Sequence, residues 1–89
     1  MNEAYTPTFH RGVRTRFDPI RQAWILLAPE RVWFLDDISR AVLDLVDGHR
    51  TLGDITDRLA NDFDAPREEI LTDVIELFDT FVDRGVLAI

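Results

Sequence analysis

From Val13 onward the chain alternates, with Val13, Thr15 and Phe17 on one face of an extended segment and Arg14, Arg16 and Asp18 on the other. A period of two marks a strand with one buried and one wet face. Asp18-Pro19 breaks the pattern with a turn. Trp24-Ile25-Leu26-Leu27-Ala28 follows as a continuous apolar run rich in strand formers, and Ala28-Pro29-Glu30-Arg31 reads as a tight turn with Pro at its second position. A third apolar run comes at once, Val32-Trp33-Phe34-Leu35. Three short strands with short connections predict an antiparallel meander in chain order.

The period then changes to that of a helix. Asp36 and Asp37 are N-cap candidates ahead of the stripe Ile38, Ala41, Val42, Leu45 and Val46, and Gly48 is the expected stop. Thr51, with Asp54 three residues on, has the form of a capping box for a second helix burying Leu52, Ile55, Leu59 and Phe63. Asp64-Ala65-Pro66 opens a third helix, with Glu68 and Glu69 near its positive dipole end. Its apolar stripe is Ile70, Val74, Leu77, Phe78, Phe81 and Val82, closed by Arg84 and Gly85. Residues 1–11 lack periodicity and are expected to form a loose N-terminal tail, so the domain is placed at 12–89, and Val86 to Ile89 reads as a short apolar tail. The expected fold is α+β: a three-stranded antiparallel sheet followed by three helices, winged helix-turn-helix-like in the order of its parts.

Composition narrows what such a domain can do. At 89 residues there is room for one core and little spare volume for a roofed active site. There is no Cys, which removes disulfides, thiolate nucleophiles and thiolate metal sites together. The only two His, His10 and His49, fall in a tail and a turn, and no short metal-ligand spacing is present. Acidic pairs such as Asp36-Asp37 and Glu68-Glu69 read as solvated charge on helix faces. The few Gly form no phosphate-cradling loop. We therefore expect no catalysis, no metal and no cofactor. Without a basic-then-apolar leader or an apolar run of membrane-spanning length, a soluble cytoplasmic protein is expected.

Charge bears on partners. The net is −7, divided as +2 over residues 1–35 and −9 over residues 36–89, and all ten basic residues are Arg. Winged helix-turn-helix domains can lay their third helix in the DNA major groove. Here residues 66–84 carry Glu68, Glu69, Asp73, Glu76, Asp79 and Asp83 against Arg67 and Arg84, a net of −4 that phosphates repel. DNA binding is thus a rival reading that the charge opposes.

The two edges of the meander differ. The first strand presents Arg14 and Arg16, and charge on an edge discourages pairing with strangers. The third strand carries no charge on either face, Val32 and Phe34 pointing one way and Trp33 and Leu35 the other. Only one of those faces can pack on the helices of so small a domain. Two readings stand: the other face is covered by residues 1–11 or a dimer mate, or the edge accepts an extended peptide by strand addition. A monomer and an edge-paired dimer are both compatible with it.

With these residues in view, the chain from about Gly12 to Leu87 resembles the PqqD family of pyrroloquinoline quinone (PQQ) biosynthesis proteins. The likeness is carried by Phe17 to Val32, with Trp24 to Arg31 its most specific run, by Leu35-Asp36, and by Asp47-Gly48 with Thr51-Leu52 and Ile55 behind it. Ile70 and Asp73-Val74 reinforce it, while Ile38-Ser39-Arg40-Ala41 replaces the alanine-rich first helix usual in the family. The resemblance implies a peptide chaperone, a RiPP recognition element that binds the precursor peptide PqqA and presents it to the radical S-adenosylmethionine (SAM) enzyme PqqE. It implies that the peptide pairs with Val32, Trp33, Phe34 and Leu35, with Arg67, Ile70, Leu71 and Val74 lining the groove.

Overall fold

The computed structural model describes residues 2–88, in the order β1 (Thr8–Phe9), β2 (Arg14–Asp18), β3 (Ala23–Ala28), β4 (Arg31–Phe34), α1 (Asp37–Leu43), α2 (Leu52–Asp62), α3 (Arg67–Asp83) and β5 (Leu87–Ala88). β2, β3 and β4 form the expected antiparallel meander in chain order, and β1 pairs with β5 in a separate two-stranded sheet. Three helices follow the meander, so the fold is α+β with the parts in the expected order.

Register follows from the turns. Ala28 pairs with Arg31 across a two-residue connection. Pro29 fixes a negative φ at the first turn position, so the left-handed conformation falls on Glu30, at φ 64°. From there the pairing runs Leu27 with Val32, Leu26 with Trp33 and Ile25 with Phe34.

The core lies between one face of the meander and the helices. Leu26 is fully buried in it with Leu43, Leu52, Ile55, Val74, Phe78, Val86 and Leu87, and Trp33 and Leu35 pack against that cluster from β4. α2 starts as expected: Thr51 Oγ1 accepts from Asp54 N–H at 3.1 Å, and Asp54 Oδ2 accepts from Thr51 N–H at 3.0 Å. α3 carries its apolar stripe over 17 residues and ends where Gly85, at φ 73°, reverses the chain.

Five expectations are corrected. The N-terminal segment is not a loose tail: Thr8–Phe9 pairs with Leu87–Ala88, Pro7 is fully buried, and the carbonyls of Tyr5 and Glu3 accept from Leu52 and Gly53 N–H at 2.8 and 2.9 Å. Those two N–H groups open α2 and would otherwise lack partners. The C-terminal run is accordingly a strand rather than a tail; Met1 and Ile89, the outermost residues of both expected tails, lie outside the described residues. α1 stops at Leu43 rather than Gly48, because i to i−3 bonds from Leu45 and Val46 tighten the chain into a turn and Asp47 caps the loop behind it. Phe17 is exposed and Asp18 buried, the reverse of the alternation. Asp18 Oδ1 accepts from Ile20 and Arg21 N–H, and its Oδ2 from Arg21 Nη1 at 3.0 Å, so the turn draws it in. Ile38 and Phe63, expected to be buried, are 66% and 57% exposed.

Candidate functional site

β4 is an edge strand, and its two faces are unlike. Val32 and Phe34 are 56% and 64% exposed on the outer face, whereas Trp33 and Leu35 are half-buried against the core. Backbone direction follows from one bond: Leu35 N–H donates to Trp24 O at 2.9 Å. In an antiparallel ladder the bonded pairs alternate. Leu35, Trp33 and Arg31 therefore turn their N–H and C=O inward to β3, and Val32 and Phe34 turn theirs to the open edge. The two residues of β4 with exposed apolar side chains are also the two with unpaired backbone.

Where β4 ends, Asp36 caps α1 by accepting from Ser39 N–H at 2.7 Å, a bond that holds its carboxyl below the usual range. Asp36 stands on the rim of an open cavity of about 460 Å³ between α1, α2 and α3. The apolar lining is Ile38 and Val42 from α1, Leu59 and Phe63 at the end of α2, and Ile70, Val74 and Leu77 from α3. Asp73 and Glu76 join Asp36 among its polar lining residues. The exposure of Ile38 and Phe63 is thus not scattered: both belong to this cavity.

The residues expected at a site are only partly brought together. Ile70 and Val74 line the cavity, and Val32 and Phe34 form the open edge. Trp33 and Leu35 serve the core face. Leu71 packs against the core and does not line the cavity. Arg67 is drawn away from it, donating to Asp57 of α2 and to Glu3 of the N-terminal segment, which raise its already high pKa further. Sequence reasoning missed Ile38, Val42, Leu59, Phe63 and Leu77 as cavity residues, because helical periodicity reports which residues share a stripe and not where the stripe outruns its partner.

Trp24 ties α1 to the sheet. Phe17 meets it edge to face at 5.4 Å between centroids, and the Arg40 guanidinium lies 3.6 Å from its ring centroid. Trp24 is therefore packing, not edge. Among the described residues no group of three or more His, Cys, Asp or Glu could hold a metal ion, and no helix is long and apolar enough to cross a membrane.

The model of the family described as coenzyme PQQ synthesis protein D (PqqD) matches residues 23–87. A protein of Bradyrhizobium diazoefficiens named PqqA binding protein is 44% identical over 87 residues, covering 98% of this chain and 84% of its own length. One of the same name from Xanthomonas campestris pv. campestris (strain B100) is 47% identical over 81 residues, covering 91% and 88%. The solution NMR structure of the PqqD truncation of Methylobacterium extorquens PqqCD, a functional stand-alone RiPP recognition element, aligns with a TM-score of 0.84 at 39% identity, over 99% of this chain and 94% of that one. The crystal structure of PqqD from Xanthomonas campestris aligns at 0.64 with 43% identity, over 100% and 99%. With the family model spanning most of its length and relatives this similar along nearly all of it, the chain belongs to the PqqD family.

Proposed function

We propose that this chain is a non-catalytic peptide chaperone of PQQ biosynthesis, which binds the precursor PqqA by strand addition on β4 and presents it to the radical SAM enzyme PqqE. One observation carries the reading: the coincidence, at Val32 and Phe34, of open backbone and exposed apolar side chains on the strand that leads to the cavity. The names of the relatives as PqqA binding proteins support the ligand. The peptide would pair with residues 32–35 and pass the α3 residues Ile70 and Val74, with Arg67 and Leu71 behind them.

The energetics suffice. Three or four ladder bonds contribute ~1 kcal/mol net each, and burying two apolar side chains adds ~1.5–3 kcal/mol apiece. Ordering a flexible peptide costs ~2–5 kcal/mol, which leaves a net of about −1 to −8 kcal/mol, reaching micromolar affinity at its favourable end. The rival reading as a DNA-binding domain would put α3, with a net charge of −5, against phosphates.

The experiment is a titration of isotopically labelled protein with synthetic PqqA, followed by NMR. Saturable shifts concentrated at residues 32–35 and along the cavity side of α3 are expected. Absence of shifts at millimolar peptide, with the fold intact, overturns the proposal.

A further inference from the structure

The outer face of the meander, turned away from the helices, is basic in an otherwise acidic chain. Its two rows run Arg14, Leu27, Val32 and Arg16, Ile25, Phe34. Ile25 is buried there although it lies outside the helix-packed cluster. Arg14 and Arg16 make no ion pair among the described residues. Arg21, from the turn between β2 and β3, reaches over the second row and places its guanidinium carbon 5.7 Å from the Phe34 ring centroid. Asp18 holds one of its nitrogens, Nη1. The rest of the guanidinium has no partner among the described residues, and the side chain is 65% exposed.

A strand added beyond β4 extends these rows. Its residue opposite Phe34 puts its Cβ about 4.5–5.5 Å away on the same face, within reach of the Arg21 guanidinium. The neighbouring residues of that strand point to the other face, where Asp36, Asp73 and Glu76 border the cavity. The two faces of one added strand thus meet opposite charge.

We propose that the segment paired on β4 carries an acidic side chain at the position beside Phe34, received by the Arg21 guanidinium. This rests on the strand-addition reading above and adds to it a rule for the ligand: acid on the alternate positions that face Arg21, no acid on those that face α3. Moving an acid by one residue flips its face, so the rule has a period of two.

The test uses synthetic PqqA in which every carboxylate side chain is replaced by its amide, and a single glutamate is then moved one position at a time. Dissociation constants are measured against the wild type, Arg21→Gln and Arg21→Lys. In the wild type, affinity should alternate along the paired segment, the favoured positions binding about threefold to fivefold tighter, the scale of an exposed pair. Arg21→Lys should keep the alternation, and Arg21→Gln should shrink it to the part that Asp36, Asp73 and Glu76 sustain from the other face. No alternation in the wild type, or alternation unchanged in Arg21→Gln, overturns the proposal; shifts at residues 32–35 would then still uphold strand addition. Failure of every peptide to bind overturns both.

Discussion

Phe34 and Trp33 are neighbours of similar chemistry on one strand, and the structure gives them opposite work. Phe34 is 64% exposed in the free protein, so most of its surface is still available to a ligand. Fully burying a Phe side chain is worth about 1.5–3 kcal/mol, so the part left for a partner contributes about 1–2 kcal/mol. Phe34→Ala should therefore weaken PqqA binding about 5- to 30-fold. The part already buried contributes only about 0.5–1 kcal/mol to stability, a loss of about 2–8 °C in Tm for a domain of this size. Trp33→Ala, by contrast, removes a ring packed on the core cluster. Complete burial would make that about 3–5 kcal/mol; half-burial makes it about 1.5–2.5 kcal/mol, against a total stability of about 4–13 kcal/mol. Thermal denaturation and peptide titration of the two variants side by side separate the roles. The reasoning is refuted if Phe34→Ala binds like the wild type, or if it loses as much stability as Trp33→Ala.

Three further outcomes follow from the same geometry. Hydrogen bonds from the Arg21 side chain, and from the N–H groups of Ser39, Arg50 and Thr51, hold Asp18, Asp36, Asp47 and Asp54 respectively below the usual 3.8. Carboxylates depressed in the folded state contribute stability above their unfolded pKa and lose it as pH falls through the folded one, so Tm should be level from pH ~7 to ~5 and fall below ~4. Asp18→Asn should blunt that fall; an unchanged acid profile would contradict the assignment. Deleting residues 1–9 removes the β1 pairing, the buried Pro7 and the two carbonyls that satisfy the start of α2. The loss should be about 2–4 kcal/mol in urea denaturation, and a loss under ~0.5 kcal/mol would restore the loose tail.

The parts of the fold fixed by local chemistry were legible. Thr51 and Asp54 announce the start of α2, and Pro29 announces the hairpin that sets the register of β4. The apolar run Val32 to Leu35 has one face more than so small a core can cover; the sequence leaves open whether the other is covered or open, and in the structure Val32 and Phe34 are exposed. What escaped depends on distant partners. Thr8–Phe9 is a strand only because Leu87–Ala88 lies beside it. Phe17 obeys the period of its strand yet is exposed, because its row ends against Trp24 and not under a helix. Arg67 was assigned to the groove by resemblance, but its position beside Asp57 and Glu3 could not be read from spacing along α3. Arg21 over Phe34 was equally hidden, since it reaches the row from a turn.

The central claim is that Val32 and Phe34 offer their backbone to an incoming strand. Amide hydrogen exchange at these two residues tests it most directly. Leu35 N–H, already bonded to Trp24 O, should exchange slowly in the free protein, whereas the amides of Val32 and Phe34 should exchange fast. Saturation with PqqA should slow Val32 and Phe34 by about tenfold or more and change Leu35 little. If the peptide binds and these two amides exchange as before, it does not pair with β4, and the account is wrong about where the ligand sits.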